Sequence, residues 1–305
     1  MTEGKIWIDG SLVEWDKAHI HILTHALHYG TAVFEGIRCY RTASGLAVFR
    51  LSDHIKRLIN SGKIYFMDLG YSKQQLQNAI IDTINANKLE EYYVRPIAYY
   101  SYGKMGVNPL PNRVSVAIIV WKWDEYIKKT TDPEKGMRLM VSSWMKIDSK
   151  SMPIHAKATA NYANSALARI EALNKGFDEA ILLNSQGNVT EASAENIFMV
   201  KDDVLVTPPV SCGALNGITR DTILSIAKEY KLHYEVRDIS RDELYICDEI
   251  FLTGTASGIQ EVTEIDKICV GDGKVGQTTK LMKKVFDSIV HGNNRIFSKN
   301  WLTFI

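Results

Sequence analysis

The sequence has few cysteines, and none of them forms a pair of the metal-binding or redox type. Its 305 residues include four cysteines, which stand far apart in the chain at Cys39, Cys212, Cys247 and Cys269. The absence of a CxxC pair argues against a disulfide framework and against a cysteine-rich zinc site. We therefore expect the protein to work in a reducing cytoplasm.

An excess of one charge and a long apolar run are also missing. Thirty-six Lys and Arg residues face 35 Asp and Glu residues, a formal net charge of +1, which argues against nucleic acid or a membrane surface as partner. The first ten residues lack the basic-then-apolar pattern of a signal peptide. The apolar run Val114–Trp121 is too short to cross a bilayer and predicts a buried strand. Small molecules remain the expected ligands.

What is present is the composition of a globular protein of two domains. Hydrophobic residues make up 46% and charged residues 23% of the chain, enough to build a sizeable core. The length exceeds that of one small domain. The polar stretch 128–136, which contains a Pro and a Gly, is the predicted linker between an N-terminal domain, 1–127, and a C-terminal domain, 137–305. We expect α/β domains with a ligand cleft between them.

Turn and capping residues predict several local elements. Apolar runs on both sides of Asp9-Gly10 predict a hairpin, and a second hairpin is predicted with its turn at 43–45. A helix is predicted to begin at an N-cap Ser52. Ser72 and Gln75 have the spacing of a capping box at the start of the next helix.

Two patterns resemble ligand sites but lack the context that such sites need. GDGKVG (271–276) matches the dinucleotide motif, which needs a helix and then a second strand, yet the residues after it contain no convincing strand, so we interpret it as a hairpin turn. Four histidines crowd together at His19, His21, His25 and His28. Their segment supplies no carboxylate or cysteine, and we predict no metal site.

Lys157 lies in the stretch HAKATANY (155–162), five residues before Tyr162. A lysine with the ordinary pKa of ~10.4 is a poor nucleophile at neutral pH, so a lysine that forms a Schiff base needs a partly buried pocket. The small neighbours Ala156 and Ala158 would let a bulky ring approach. The alternative is a surface lysine that precedes a helix.

Two acids, Glu191 and Glu195, stand among small and apolar residues in VTEASAENIF (189–198). A pyridoxal-type cofactor needs an acid opposite its ring nitrogen, because the protonated ring withdraws electrons from the substrate. Glu191 could supply that acid. The alternative for either residue is a structural salt bridge or a turn cap.

Two further stretches could bind an anion through backbone amides. In LNGITRD (215–221) a glycine precedes a predicted helix start, where free N–H groups and the helix dipole attract anions, and Thr219 adds a hydroxyl. In FLTGTASG (251–258) a predicted strand runs into small and hydroxyl residues. The alternatives are ordinary capping by Asn216 or Thr219 and a plain tight turn.

Taken in order, these stretches resemble the serial motifs of class IV aminotransferases, and among them the branched-chain amino acid aminotransferases. The similar segments are HALHYGTAVFEGIRCY (25–40), GKMGVNP (103–109), HAKATANY, VTEASAENIF, NGITRD and FLTGTAS. The resemblance implies fold type IV, with a small N-terminal α/β domain and a larger C-terminal pseudo-barrel α/β domain. It also implies pyridoxal 5'-phosphate in the cleft and a homodimer at minimum.

The resemblance assigns cofactor roles residue by residue. Lys157 would hold the cofactor covalently and act as the catalytic base, Tyr162 would hydrogen-bond the ring hydroxyl, and Glu191 would pair with the ring nitrogen. The other implied cofactor residues bind the phosphate or pack against the ring: Arg57, Leu215, Gly217, Ile218, Thr219, Gly254 and Thr255.

The implied reaction moves the amino group of leucine, isoleucine or valine to 2-oxoglutarate, giving branched 2-oxo acids and glutamate. Arg95 would accept the distal carboxylate of glutamate, unless it forms a structural ion pair, with Glu35 as a candidate partner. Tyr29 would enter from the partner subunit. The implied substrate-binding residues are Tyr29, Phe34, Gly36, Tyr93, Arg95, Val107, Trp123, Tyr126, Thr255 and Ala256.

Alternatives remain on the same fold and outside it. A D-amino-acid or amine transaminase, or an aminodeoxychorismate lyase, would share Lys157, Tyr162 and Glu191. A Schiff-base enzyme without a cofactor, or a binding protein without activity, belongs to a different class. Three departures from the family pattern, Thr159-Ala160 for Gly-Gly, Asn216 for proline and Ser257 for alanine, are expected to affect substrate preference more than reaction type.

Overall fold

The computed structural model describes residues 4–87, 91–122 and 136–305. The chain divides into two compact units, and the first contains His155–Ala160 and Ile289–Ile305 besides the residues up to Asp124. The remaining residues, up to Ser288, form the second unit. Apart from Gly136, the predicted linker lies outside the described residues, and the predicted domain limits stay a prediction.

The first unit is built on a sheet of eight strands in which every pairing is antiparallel. Elements are numbered in chain order through both units. The strands of this sheet are β1 (Lys5–Ile8), β2 (Ser11–Glu14), β3 (Ala32–Phe34), β4 (Ile37–Thr42), β5 (Gly45–Phe49), β6 (Tyr92–Tyr100), β7 (Val114–Trp121) and β17 (Leu302–Phe304). Their order is β17-β5-β4-β6-β7-β1-β2, and β3 pairs with β6.

Two amphipathic helices supply much of the core of the first unit. The helices of this unit are α1 (His25–Tyr29), α2 (Leu51–Ile64), α3 (Lys73–Asn87) and α7 (Ser298–Trp301), with a short 3-10 helix at Trp15–Lys17. Apolar residues three or four apart form one stripe on each long helix. The buried stripe residues are Leu51, Ile55 and Leu58 of α2 and Leu76, Ile80 and Ile84 of α3. The stripes pack in one cluster with buried strand residues such as Ile118.

Most of the predicted local elements are confirmed in the first unit. Both hairpins form, with Asp9 and Gly10 at positive φ in the first. Ser72 and Gln75 bond reciprocally, the backbone N–H of each donating to the side chain of the other. The predicted buried strand is β7. The prediction that Ser52 caps this helix is wrong. The N-cap is Arg50, whose backbone is left-handed with φ 51°, and α2 begins at Leu51.

The second unit is built on a mixed sheet of nine strands. They are β8 (Met137–Val141), β9 (Glu179–Leu183), β10 (Val189–Ala192), β11 (Asn196–Lys201), β12 (Val204–Thr207), β13 (Tyr234–Val236), β14 (Glu249–Gly254), β15 (Gly258–Ile265) and β16 (Ile268–Cys269). The order is β10-β9-β8-β15-β14-β11-β12-β13, with β16 paired to β15. β8 runs parallel to β9 and β15, and β12 runs parallel to β13.

The helices of the second unit are α4 (Asn161–Asn174), α5 (Ile218–Glu229) and α6 (Gln277–Val290), with 3-10 turns at Val210–Cys212 and Asp242–Tyr245. One face of the sheet carries an apolar cluster that includes Ile181, Ile197 and Leu252. A smaller cluster joins Ala168 and Ala172 of α4 to strand residues. Side chains of the strands thus form the larger apolar cluster, and α4 packs against strand residues in the smaller one.

The predicted hairpin at 271–276 is wrong. Gly271 and Gly273, both at positive φ, form a turn between the two-residue strand β16 and the helix α6. A dinucleotide fold needs a further parallel strand after that helix, but the next strand, β17, belongs to the other sheet. Among the described residues, none of the helices has the length and apolar character needed to span a membrane.

Candidate active site

Lys157 is held in place in the first unit by its own backbone. Its N–H donates to Oγ of Ser61 at 3.0 Å, and its carbonyl accepts from the N–H of Phe34 at 2.9 Å. The side-chain Nζ lies 5.0 Å from the centre of the Phe34 ring. Burial, and after it the charge of Arg57, lower the pKa of Lys157 to about 8. A lysine with such a pKa has an appreciable neutral, nucleophilic fraction at neutral pH.

Arg57 is bound to a buried carboxylate. Its Nε and Nη2 donate to Oε1 and Oε2 of Glu35 at 2.5 and 2.8 Å, a bidentate geometry that fixes the guanidinium plane. Nδ1 of His54 lies 2.7 Å from the same Oε2. Glu35 and His54 are both 0% exposed. Burial by itself would raise the pKa of Glu35, but Arg57 and His54 outweigh it and hold that pKa well below the usual range.

Arg95 lies among aromatic rings. Its guanidinium carbon is 4.8 Å from the centre of the Phe34 ring, 5.3 Å from that of Tyr93 and 5.7 Å from that of Trp121. Nη2 donates to the Tyr93 hydroxyl at 3.1 Å, and the buried Nε has no hydrogen-bond partner within the described part of the chain. The alternative ion pair with Glu35 is wrong, because Arg57 and His54 occupy both oxygens of that carboxylate.

The Tyr93 side chain leaves no room for a side chain at Gly36. A Cβ at this position would collide with the Tyr93 hydroxyl. The structure therefore places five residues of the predicted set in one neighbourhood of the first unit: Phe34, Gly36, Tyr93, Arg95 and Lys157.

Glu191, on β10 of the second unit, has three partners around its carboxylate. Lys146 Nζ is 2.5 Å from Oε1, while Asn196 Nδ2 and the N–H of Leu215 donate to Oε2 at 3.1 and 2.9 Å. Asn196 also donates to the Leu215 carbonyl at 2.9 Å. This network fixes the carboxylate beside Leu215, and a Cβ at Gly217 would collide with the amide oxygen of Asn196.

The two predicted anion stretches have the local form that backbone binding needs. α5 begins after Gly217, an N-cap residue that has no side chain with which to cap the helix. The alternative of ordinary capping by Asn216 or Thr219 stays a prediction. Thr219 is buried in the first turn of the helix. β14 ends at Gly254, and the pairing of Gly254 with Gly258 closes a turn over Thr255 and Ala256.

Two predicted residues, Tyr29 and Val107, lie at the surface of the described chain. Tyr29 is 42% exposed beside His25, and Val107 is 83% exposed. Tyr162 lies near the start of α4. Trp123 and Tyr126 lie outside the described residues.

Four site neighbours were missed from the sequence. Glu35 was considered only as a partner of Arg95, and Asn196 was quoted within a motif without a role. His54 and Lys146 gave no local signal. Glu35 and Lys146 contact Arg57 and Glu191 across 22 and 45 positions of the chain, so only the fold brings these pairs together. Asn196 is five residues from Glu191 and could have been found in the motif that both share.

The donor set fits a phosphorylated aldehyde cofactor better than a metal. A lysine with a lowered pKa, an oriented arginine, a fixed carboxylate and a helix start at a glycine are groups that suit pyridoxal phosphate. Among the described residues, three or more His, Cys, Asp or Glu side chains do not gather as a metal site would require. His25, from the histidine-rich segment, instead contacts Thr31 and the carbonyl of Gly106.

Comparisons with known proteins agree with this chemistry. The family model described as amino-transferase class IV matches residues 32–265. A branched-chain-amino-acid aminotransferase of Escherichia coli K12 is 42% identical over 289 residues, covering 94% of this chain and 93% of the relative.

Two solved structures carry the same name. A branched-chain amino acid aminotransferase from the organism abbreviated T.th., complexed with N-(5'-phosphopyridoxyl)-L-glutamate, has a TM-score of 0.95 at 40% identity and covers 100% of this chain and 99% of its own. Its complex with 4-methylvaleric acid has a TM-score of 0.94, with the same identity and coverage. These matches confirm the predicted two-domain α/β fold. The chain belongs to the class IV aminotransferase family.

Proposed function

We propose that this protein is a pyridoxal-phosphate-dependent aminotransferase that exchanges an amino group between branched-chain L-amino acids and 2-oxoglutarate. The relatives described above are named branched-chain amino acid aminotransferases. The observation that carries the proposal is the position of Lys157 and Arg95 at 5.0 and 4.8 Å from the same Phe34 ring. A nucleophilic lysine and an arginine that can bind a carboxylate thus lie beside the same aromatic ring.

Pyridoxal phosphate, when bound, supplies an electron sink for the bonds at the α-carbon of the amino acid. Lys157 would hold it and then move the α-proton, since its neutral amine can act as a base. Glu191 would keep a proton on the ring nitrogen, and Tyr162 would bond the ring hydroxyl. Arg57, Ile218, Thr219 and Thr255 would bind the phosphate, with Leu215, Gly217 and Gly254 shaping the surface around it.

The substrate wall suits two kinds of side chain. Phe34 and Tyr93 offer apolar surface to a leucine, isoleucine or valine side chain. Arg95 has no carboxylate within salt-bridge distance among the described residues, so it can pair with the distal carboxylate of glutamate. The two T.th. complexes named above contain a glutamate derivative of the cofactor and 4-methylvaleric acid, which are ligands of these two kinds.

We also propose a homodimer in the cytoplasm. Tyr29 and Val107 are exposed together with Ile22, Leu27 and Leu110, and an apolar surface of this kind is typical of a subunit interface. Tyr29 would then reach the site of the partner subunit, with Val107, Trp123, Tyr126 and the amides of Thr255 and Ala256 completing the substrate pocket. All four cysteines are free, in keeping with a reducing compartment.

The test is an assay of purified protein with leucine and 2-oxoglutarate. We expect a yellow protein whose visible absorbance changes on adding L-leucine and which then forms glutamate. A colourless protein would exclude the cofactor. Turnover of D-alanine or of a simple amine without turnover of leucine would assign the chain to a transaminase of another specificity, and pyruvate release from aminodeoxychorismate would assign it to the lyases.

A further inference from the structure

Buried polar atoms without hydrogen-bond partners gather near Gly254 in the second unit. Within the described chain, Oε2 of Glu195 and Oγ of Ser257 are two of the eight such atoms. A Cβ built on Gly254 would lie 3.0 Å from the Ser257 oxygen and 3.1 Å from Cγ of Glu195. Buried polar groups are nearly always hydrogen-bonded in native proteins. The buried polar atoms near Gly254 therefore need a hydrogen-bond partner beyond the side chains around them.

The charges around Glu195 disfavour its ionised form. Glu179, on β9, is its strongest repulsive neighbour and raises the pKa of Glu195. Arg169, on α4, which forms an ion pair with Glu179, and the backbone of Ala194 lower that pKa but do not outweigh burial and Glu179. Glu191, on β10, adds a second repulsion. An ionised carboxylate that is buried with an unpartnered oxygen costs much more free energy than its neutral form. Burial and then Glu179 raise the pKa of Glu195 to about 8.

We propose that Glu195 and Ser257 are positioning residues, in which a neutral Glu195 carboxyl group and the Ser257 hydroxyl share a buried water molecule that fixes the 254–257 turn. A neutral carboxyl group can both donate and accept, and a bridging water needs two or more polar partners. The Ala194 carbonyl, 3.8 Å from the same Cβ position, is a third candidate partner. The water satisfies the oxygens that the chain alone leaves unpaired.

A neutral acid at this point has a consequence for anion binding. The turn holds Thr255 and Ala256, whose amides bind an anionic group under the proposed function, and this part of the inference rests on that function. A neutral Glu195 does not repel the anion, whereas an ionised one does. Anion affinity should therefore fall as the pH rises through the pKa of Glu195, and a glutamine in its place should not show that fall.

The protonation state is tested first, on protein without cofactor and without reference to activity. Protein labelled with ¹³C at the glutamate carboxyl carbons is titrated by NMR from pH 5 to 10. We expect one resonance with a midpoint near 8 that is missing in Glu195→Gln, while Glu264→Gln, a matched change on β15, removes a different resonance. Ser257→Ala should raise that midpoint, since the ionised form loses a hydrogen-bond donor. The proposal is overturned if the Glu195 carboxyl group is already ionised at pH 6.5. It is also overturned if Ser257→Ala leaves the midpoint of the Glu195 resonance unchanged.

The effect on the turn is tested with inorganic phosphate as the probe. Its affinity for cofactor-free protein is measured by calorimetry at pH 7 and pH 9. Lys157 and phosphate titrate alike in both proteins, so the difference between wild type and Glu195→Gln isolates Glu195. Wild type should lose about fivefold more affinity than Glu195→Gln, a coupling of ordinary size between two sites. Equal losses would refute the positioning role. Lack of phosphate binding at both pH values by a protein with the expected NMR midpoint would instead count against the proposed anion site.

Discussion

Replacing Glu35 with glutamine keeps the shape of the side chain but removes the charge that faces Arg57. Wild-type Glu35 accepts bonds of 2.5 and 2.8 Å from Arg57 and lies 2.7 Å from Nδ1 of His54, with both acid and imidazole fully buried. Removing one partner of a buried ion pair costs about 3–5 kcal/mol, because the other charge is left uncompensated. We expect Glu35→Gln to lose that much free energy of unfolding at pH 7.

The pH dependence of this loss follows from the direction of the shift. The pKa of Glu35 is held below its usual range in the folded protein, so its stabilisation is fully present above the unfolded carboxyl pKa of about 4.3 and is lost as the pH falls further. The difference between wild type and Glu35→Gln should be constant from pH 7 to 5 and should shrink below pH 4.

Urea unfolding of both cofactor-free proteins, followed by circular dichroism, measures the effect. Glu91→Gln is the matched control, since Glu91 forms an Arg–Glu pair with Arg38 at 3.7 Å on a more exposed surface, where loss of the charge should cost under about 1 kcal/mol. The reasoning is refuted if Glu35→Gln costs no more than Glu91→Gln, or if its effect grows as the pH falls from 5 to 3.

Three further changes test the proposed site. Lys157→Ala should abolish turnover and the visible absorbance of the bound cofactor while the fold is retained; a normal absorbance spectrum in this variant would remove Lys157 from its role. Glu191→Gln should keep the cofactor bound but slow proton transfer strongly, and a near-normal rate beside a crippled Glu195→Gln would show that the other acid serves the ring. Arg95→Ala should weaken the 2-oxoglutarate half-reaction by at least about tenfold more than the leucine half-reaction, since a buried carboxylate without its partner costs about 2–5 kcal/mol. Single-turnover rates of the two half-reactions measure this difference. An equal loss of rate in both would show that Arg95 has a structural role.

Local sequence predicted those elements whose signals are complete within a few residues. The capping box of Ser72 and Gln75 and the turn at Asp9-Gly10 need no distant partner. The start of α2 does need one. Arg50 donates its N–H to the Trp301 carbonyl at 2.7 Å and lies 5.0 Å from the Trp301 ring. A contact with a residue near the other end of the chain therefore sets a helix start that the local sequence assigns to Ser52.

The same limit applies to the site. The resemblance of HAKATANY to a family motif selects Lys157, but the lowered pKa of this lysine depends first on burial and then on Arg57, a hundred positions earlier. Glu191 could be selected from its motif, whereas its contact with Lys146 crosses from the start of the second unit to β10. A sequence motif can therefore identify a reactive residue, whereas the residues that position it are brought into contact only by the tertiary structure.

The charge balance around Lys157 gives a physical reason for anionic ligands in the first unit. Lys157, Arg57 and Arg95 bring three cationic groups into one electrostatic neighbourhood, and Glu35 is the carboxylate among the groups that shift the pKa of Lys157. Since Glu35 is already paired with Arg57, the positive charge of Arg95 stays uncompensated by any carboxylate of the described residues. Anions entering such a region gain Coulomb energy that water screens poorly at a buried site. Substrates that carry carboxylates, and a cofactor that carries a phosphate, are the ligands this arrangement favours.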